Sequence, residues 1–200
     1  MTRPVKPKSK EEILDLAIPL FAQSGFTGVS MRDIASAVGI KAASLYHHFP
    51  DKQTLYLQAM ARAFEDKAQG FSRALTVTGT PEKRLAGFVQ MFTTLMSKDP
   101  EFRALLQREL LDGDDVRLKQ IASEVFREPF VAMEALADEL APGCDAHMVA
   151  ISIASLILYH LETAPLRRYL PGGKAKHNKP DVIADHVTRL LLNGLKGCAQ

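Results

Sequence analysis

The chain has 200 residues, of which 46% are hydrophobic, and a formal net charge of +2. This length fits one large domain or two modest ones, and the hydrophobic fraction is enough to bury a sizeable core. A net charge this small neither favours nor excludes a nucleic-acid partner, because the local distribution of charge matters more than the sum. Two cysteines in no metal-like spacing do not make a disulfide framework, which is typical of a reducing compartment, so we expect a cytoplasmic protein.

The chain begins with a basic arm, residues 1–8, that contains no acidic side chain. This arm is either a solvated tail or a segment that seeks phosphate groups. Acidic residues at positions 11, 12 and 15 interrupt the next segment, so the start of the chain does not have the pattern of a signal peptide. The most apolar segment, residues 148–159, is too short to cross a bilayer, and we expect no membrane association.

Helical periodicity dominates the chain and no segment alternates like a β-strand, so the sequence predicts an all-α fold. The first helix starts at a capping box formed by Ser9 and Glu12, and it closes at Ser24 and Gly25. Pro19 lies inside this helix and predicts a kink, because proline lacks the backbone N–H that a helix interior needs.

Two short helices come after the first. One starts at a capping box of Ser30 and Asp33 and stops at Gly39, where glycine allows a left-handed backbone. The other begins near Lys41 and ends at Phe49, since the residue before a proline avoids the α region. Two short helices joined by a tight glycine turn are typical of a helix-turn-helix.

Longer helices are predicted in the remainder of the chain. Asp51 is a good N-cap for a fourth helix over residues 52–71, and Pro81 suits the first turn of a fifth. The helices expected from Pro81 onward cover residues 81–99, 100–111, 115–140, 146–166 and 180–197. The sequence therefore predicts a three-helix N-terminal domain, residues 1–51, joined to a larger helical bundle, residues 52–200.

The third helix has an unusual outer face. At about 100° per residue, the inner side takes Ala42, Leu45 and Phe49, and the opposite side takes Ala43 and His47. The remaining residues of this helix, which flank the outer face, are Ser44, Tyr46 and His48. Small and hydrogen-bonding side chains on one face favour close approach to a base stack and contact with phosphate oxygens.

Lys52 adds a second indication of an anionic partner. A lysine in the first turn of a helix opposes the helix dipole, and the position makes sense if that helix end binds a phosphate. Two other interpretations of this region remain open. The histidines could be incidental residues at a surface helix end, or they could form a metal or catalytic site, although adjacent histidines on a helix diverge.

Residues 26–55, FTGVSMRDIASAVGIKAASLYHHFPDKQTL, resemble the DNA-binding domain of the TetR (tetracycline-repressor) family of bacterial regulators. The matching residues are Gly25, Phe26, Arg32, Asp33, Ile34, Ala35, Gly39, Ile40, Leu45, Tyr46, His48, Phe49 and Lys52. Val29 departs from the threonine common in the family, and family members usually lack a proline at position 19. The remainder of the chain is similar to the family only in length and helical layout.

The resemblance implies specific contacts with double-stranded DNA. It implies that Ser30 caps the second helix near a phosphate and that Arg32 contacts a base or the backbone. It implies groove-facing roles for Lys41, Ala42, Ala43, Ser44 and His47. It implies that phosphates are gripped by Tyr46, His48 and Lys52.

The resemblance also implies a homodimeric repressor that binds a near-palindromic operator. Residues 52–200 would then bind a small, largely apolar effector that releases the protein from DNA. Two alternatives stay open: an activator or ligand-independent regulator with the same DNA-binding domain, and a helical enzyme that uses histidine and glutamate side chains of the bundle. No catalytic residue, metal site or cofactor is predicted.

The dimer interface is expected on the last two long helices. Residues 148–159 are apolar nearly all round, which predicts burial on two sides, one of them against a partner. The interface residues expected are Ile151, Ser155, Leu158, Val187 and Leu191. The alternative is a helix buried in the core of a monomer.

An effector pocket is expected among the middle helices, where aromatic and flexible apolar side chains combine with a few polar groups. The residues expected to line it are Phe88, Met91, Phe92, Leu95, Phe102, Leu106, Glu109, Phe126, Phe130, Tyr159 and His160. The alternative is that these side chains form plain core. A metal site of His147, His160 and His186 is a further alternative, but the sequence does not place the three together.

Overall fold

The computed structural model describes residues 8–76 and 78–195, and within these ranges it contains helices and no β-strand. The predicted all-α fold is confirmed. The helices are α1 (Lys10–Ser24), α2 (Met31–Val38), α3 (Ala42–His48), α4 (Lys52–Thr76), α5 (Pro81–Lys98), α6 (Pro100–Asp112), α7 (Asp115–Ile121), α8 (Arg127–Leu140), α9 (Ala146–Glu162), α10 (Ala164–Arg167) and α11 (Pro180–Gly194). The basic arm lies outside the described residues except for residue 8.

The chain divides into two compact units, and the first combines residues up to 66 with residues 101–125. In this unit α1 packs on α2, and α2 packs on α3. Its fully buried side chains include Ile13, Phe21, Ile34, Leu45, Phe49, Tyr56, Phe102 and Leu105. The last two come from α6, so a segment distant in sequence completes the core around the helix-turn-helix. The expected functional division at residue 51 stays a prediction.

The second unit contains residues 67–100 and 126–200. Helix α5 packs on α8, α9 and α11, and α8 also packs on α9. Its core side chains include Leu85, Val89, Met96, Leu136, Ala150, Ile153, Ile157, Ile183 and Val187. A bundle of this kind hides the apolar faces that the helical periodicity predicts.

Local capping explains where the helices of the first unit begin. The Ser9 hydroxyl accepts a hydrogen bond from the Glu12 N–H at 3.2 Å, and the Glu12 carboxylate accepts one from the Ser9 N–H at 2.7 Å. Asp51 accepts from the Thr54 N–H at 2.7 Å and so caps α4. Helix α1 continues through Pro19, whose side chain is exposed, so the proline does not end the helix.

The structure corrects one predicted helix. Residues 115–140 form α7 and α8 separated by a π-helical segment, Ala122–Phe126, rather than one continuous helix. Pro129 lies in the first turn of α8, and its ring lacks the N–H that would bond the carbonyl of residue 125. A π-helical turn before this proline accommodates the missing hydrogen bond. Another boundary also differs, because α9 ends at Glu162 and α10 forms a separate turn.

Among the described residues, no helix is both long and apolar enough to cross a membrane. Cys144 is disulfide-bonded, and Cys198 lies outside the described residues. The expectation of a reducing compartment therefore gains no support from Cys144.

Candidate DNA-binding surface

The helix-turn-helix is built by one capping box and one glycine turn. The Ser30 hydroxyl accepts a hydrogen bond from the Asp33 N–H at 3.2 Å, and the Asp33 carboxylate accepts from the Ser30 N–H at 2.9 Å. Hydrogen bonds from the Ser30 hydroxyl and N–H hold the pKa of Asp33 below its ordinary value. Gly39 has a φ of 77°, and the following Ile40 N–H donates to the Ala35 carbonyl at 2.9 Å. These contacts fix a tight turn between α2 and α3.

Helix α3 buries one face and exposes the other. Leu45 and Phe49 are completely buried, whereas Tyr46 is 52% exposed. Ala43 and His47 are exposed, as the predicted outer face requires. The predicted faces of this helix are confirmed. The DNA contacts expected from that face stay predictions.

The other predicted DNA contacts lie on the same two helices or at their ends. Ser30, Arg32, Lys41 and Ser44 are exposed, and Ala42 is half-buried. His48 is also half-buried, and its ring centre lies 5.9 Å from the ring of His47.

The Lys52 side chain binds backbone carbonyls of its own chain in this structure. Its ammonium group donates hydrogen bonds to the carbonyl oxygens of Phe26 at 2.8 Å and Val29 at 3.0 Å. It also lies 4.3 Å from the centre of the Phe26 ring, a cation–π contact. This arrangement favours a role in holding the loop between α1 and α2, and the phosphate contact expected of Lys52 stays a prediction.

Arg117 is a residue of this unit that sequence reasoning missed. It is only 6% exposed, and its Nε donates to the two carboxylate oxygens of Glu109 at 3.0 and 3.3 Å. Its guanidinium carbon lies 4.1 Å from the centre of the Phe26 ring. The only signal in the sequence is one arginine shortly after an acidic stretch, but that pattern is common on solvated surfaces and does not indicate burial.

The structure distributes the expected pocket residues over both units. Phe102, Leu106 and Glu109 belong to the first unit, and there Glu109 is paired with Arg117. The others belong to the second unit: Phe88, Met91, Phe92, Leu95, Phe126, Phe130, Tyr159 and His160. Among these, the rings of Phe88 and Phe92 stack at 5.5 Å.

Two surface grooves of the second unit contain some of the expected pocket residues. A groove of about 430 Å³ is lined by Gly70, Ala74, Thr78, Lys83, Arg84, Gly87 and Met91. Another, of about 580 Å³, is lined by Ser152, Ser155, Leu156, Tyr159, His160, Thr163 and Arg167. Both volumes fall within the range of small-molecule sites.

The expected interface residues do not share one surface. Ile151 is 43% exposed, Ser155 is exposed and Leu158 is half-buried. Val187 and Leu191 are 0% and 6% exposed, because they pack into the core of their own chain. Their burial corrects the interface predicted at these two positions: apolar periodicity indicates that one face of α11 is buried, but not that the same chain covers it.

The three histidines considered as metal ligands do not come together. The rings of His160 and His186 lie 5.6 Å apart, whereas His147 contacts Glu134 and the ring of Phe130. Within residues 8–76 and 78–195, no group of three or more histidine, cysteine or acidic side chains could hold a metal ion.

Comparison with known proteins agrees with this geometry. Residues 13–59 match the family described as bacterial regulatory proteins, tetR family. The HTH-type transcriptional repressor KstR2 of Rhodococcus jostii (strain RHA1) is 27% identical over 194 residues, which cover 95% of this chain and 92% of that protein. The HTH-type negative transcriptional regulator IcaR of the icaADBC biofilm operon of Staphylococcus aureus (strain Newman) is 45% identical over 56 residues, or 28% of this chain and 30% of that protein.

A solved structure shares the fold along nearly the whole chain. The transcriptional regulator FadR from Bacillus subtilis, in complex with stearoyl-CoA, superposes with a TM-score of 0.75 at 17% identity, over 93% of this chain and 99% of that one. A pair of short helices joined by a glycine turn, in which the second helix exposes one face, is a helix-turn-helix, a motif that many transcriptional regulators use to bind DNA. Residues 13–59, which contain this motif, thus match the tetR family, and similarity to the KstR2 repressor extends over nearly the whole chain.

Proposed function

We propose that the chain is a cytoplasmic, homodimeric repressor that binds a near-palindromic operator and leaves it when a small, largely apolar effector binds. The exposed face of α3 is the observation that supports DNA binding in this proposal. That face presents small and hydrogen-bonding groups, Ala43, Ser44, Tyr46 and His47, above a completely buried Leu45. A recognition helix needs this combination, because a rigid inner face fixes the outer face that enters the major groove.

Charge on the same surface supports contact with phosphates. Arg32 and Lys41 are exposed at the start of α2 and α3. The only acidic residue in residues 26–50 is Asp33, and its carboxylate is engaged with Ser30. This surface is therefore locally cationic although the net charge of the chain is small.

The dimer would form through exposed apolar side chains of α9 and α11. Met148, Ile151 and Tyr159 are 59%, 43% and 72% exposed, and Leu190 of α11 is 49% exposed. Large apolar side chains gathered on two helices are typical of a surface that a partner covers. Two copies would place two recognition helices on successive turns of the major groove, which requires an operator with two similar half-sites.

The effector class is supported by the apolar character of the second unit and by a structural neighbour. The B. subtilis FadR structure is a complex with stearoyl-CoA. We therefore propose a long acyl chain as the apolar group that the second unit binds, and stearoyl-CoA as the first compound that carries one to test. A ligand lowers operator affinity only by as much as it prefers the state that does not bind DNA.

In vitro selection of duplex DNA by the purified protein tests the proposal directly. We expect recovery of a near-palindromic sequence, with affinity that falls steeply as salt rises, because phosphate contacts release counterions. The variant Ala43→Glu, which places a negative charge on the α3 face, should lose this binding. Gln23→Glu adds the same charge on α1 and serves as the matched control. Recovery of no shared sequence would exclude the operator-binding function.

Two further measurements test the remaining parts. Light scattering on the wild type and Ile151→Glu should give a dimer and a monomer, respectively. Stearoyl-CoA should release the selected duplex at a concentration where free coenzyme A does not. Tighter binding with stearoyl-CoA would instead favour a corepressed regulator, and no response to it would exclude this effector class.

A further inference from the structure

Residues 101–125 form an insert that belongs to the DNA-binding unit although the chain reaches it from the second unit. They come after α5 and precede α8, both of which lie in the second unit. In the first unit they supply α7 and nearly all of α6. The insert contacts α1, α4 and the loop before the helix-turn-helix through polar side chains as well as apolar ones. The exposed face of α3 does not explain what these polar contacts contribute to DNA binding.

Arg117 is the centre of these polar contacts. Besides its two short contacts with Glu109, its guanidinium nitrogens lie 3.7 Å from the Asp112 carboxylate and 3.5 Å from that of Asp114. Glu109 is itself 1% exposed. Removing a charge from water is costly unless geometry and hydrogen bonds compensate, so a buried pair of this kind holds its members in one arrangement.

The guanidinium group meets the loop that precedes the helix-turn-helix. It lies over the Phe26 ring, 4.1 Å from the ring centre, and 5.9 Å from the ring centre of Tyr56. The Phe26 and Tyr56 rings are in edge contact at 5.3 Å. Tyr56 is 1% exposed, and burial together with its hydrogen bond to Glu109 raises its pKa above the ordinary value. The Phe26 ring is thus packed between Arg117, Lys52 and Tyr56.

Two more hydrogen bonds fix the insert on both sides of the loop. Arg108 Nε donates to the Ala22 carbonyl in the last turn of α1 at 2.7 Å. Gln53 at the start of α4 donates to the Gln120 side chain of α7 at 2.9 Å. The loop that carries Phe26 and leads into Ser30 is therefore held between two anchored helix ends.

We propose that Arg117 is a positioning residue for DNA binding: through its contact with Phe26 it fixes the α1–α2 loop and hence the orientation of α2 and α3. Arg117 lies outside the helix-turn-helix and beneath the surface, so it touches no DNA itself. The proposal rests on the operator-binding function proposed above. It makes operator affinity depend on a segment that the DNA-binding motif does not contain.

The test uses the full chain and the duplex that the wild type selects. In Arg117→Met/Glu109→Gln neither buried charge is left unpaired, and the amide can still bond Tyr56. At a temperature where the variant is fully folded, we expect the affinity for that duplex to fall about tenfold. A change of this size is typical of the loss of one pairwise contact. Amide hydrogen exchange should be faster across residues 25–40 and unchanged in α9 and α11. Unchanged affinity and unchanged exchange in the folded variant would overturn the proposal.

Controls separate positioning from general stability. Arg62→Met/Asp15→Asn removes a more exposed ion pair of the same unit, which is 3.1 Å long, and should leave both readouts unchanged. If Arg117→Met/Glu109→Gln does not fold, Phe26→Leu removes the ring contact and keeps the charges paired. Phe26→Leu should weaken duplex binding and speed exchange in the loop, and the proposal fails if it does neither. If the wild type selects no duplex, the operator function fails, whereas the exchange measurement still tests the hold of Arg117 on the loop.

Discussion

The ammonium group of Lys52 joins the start of α4 to the loop before α2, with hydrogen bonds of 2.8 Å to the Phe26 carbonyl and 3.0 Å to the Val29 carbonyl. Val29 is 6% exposed, so its side chain anchors the same loop from the inside. Hydrogen bonds from a charged donor to backbone carbonyls are among the stronger ones in proteins. Lys52 therefore stabilises the entry to the helix-turn-helix from within the protein.

Replacing Lys52 with methionine keeps most of the apolar stem and removes these bonds. We expect the free energy of unfolding to fall by about 1.5–3 kcal/mol, the range for hydrogen bonds that involve a charge. Urea denaturation measures this change. Lys41→Met removes an exposed lysine and should leave the free energy of unfolding within about 0.5 kcal/mol of the wild type.

The salt dependence of DNA binding separates the two roles considered for Lys52. Loss of a phosphate contact reduces the slope of log affinity against log salt by about one unit. We expect this reduction for Lys41→Met. Lys52→Met should weaken binding with an unchanged slope, because its ammonium holds the loop. A reduced slope for Lys52→Met would show that it contacts phosphate after all.

The sequence predicted the features that local chemistry determines. The capping boxes at Ser9 and Ser30 and the left-handed Gly39 each depend on residues within a few positions, so their patterns could be read directly. The partners of Lys52 lie 23 and 26 residues away, and no local pattern specifies them. The sequence indicates that a lysine at this position is unusual, but it does not identify the two carbonyl oxygens that the ammonium group binds in this structure.

The surroundings of Arg117 and Val187 depend on the tertiary structure, so the sequence alone does not predict which residues cover them. Apolar periodicity shows that a face is buried, but it does not show which body covers it. Val187 was therefore expected at a partner interface and lies in its own core. No pattern in the sequence indicates a buried role for Arg117, because an arginine is usually exposed unless acidic residues pair with it in the fold.

Gly28 is required by a close approach of two backbone segments. A Cβ atom at this position would lie 2.2 Å from the Ser24 carbonyl oxygen. Gly28→Ala should destabilise the protein by about 1–3 kcal/mol, because the backbone must shift to accept the methyl group. Gly87→Ala is the contrasting variant: apart from its chain neighbours and the nearby backbone of its own helix, no atom lies within 4 Å of the added Cβ. Alanine should therefore stabilise the interior of α5 by about 0.5–1 kcal/mol. Thermal unfolding of both variants would contradict this account if the two shifts had the same sign.

Thr93 carries a buried hydroxyl group that lacks a hydrogen-bond partner within the described part of the chain. The residue is 0% exposed and lies in α5. An unpaired buried hydroxyl group costs about 1–3 kcal/mol, so Thr93→Val should raise the free energy of unfolding by about 1 kcal/mol. In the neighbouring residue Thr94 the hydroxyl donates to the Gln90 carbonyl at 2.8 Å, and Thr94→Val should not stabilise. Urea denaturation of the two variants compares them directly, and a loss of stability in Thr93→Val would indicate that its hydroxyl has a partner.

His160 should make the stability of the protein depend on pH. Partial burial, followed by the positive charges of Arg167 and His186, lowers the pKa of His160 below its ordinary value. The Nη2 atom of Arg167 lies 3.4 Å from the His160 Nδ1 atom, and the His186 ring centre lies 5.6 Å from the His160 ring centre. Below the ordinary histidine pKa the unfolded chain therefore binds more protons at this site than the folded chain.

The sign of the pH effect is set by that difference in bound protons. The stability contributed by neutral His160 is present above the unfolded pKa and is lost as pH falls towards the lower folded value. We expect urea denaturation to give a smaller free energy of unfolding at about pH 5.5 than at about pH 7.5. Other groups also titrate in this range, so the comparison is with His160→Gln, which cannot be protonated. The variant should lose less stability between the two pH values, and an equal loss in both proteins would show that His160 is not responsible.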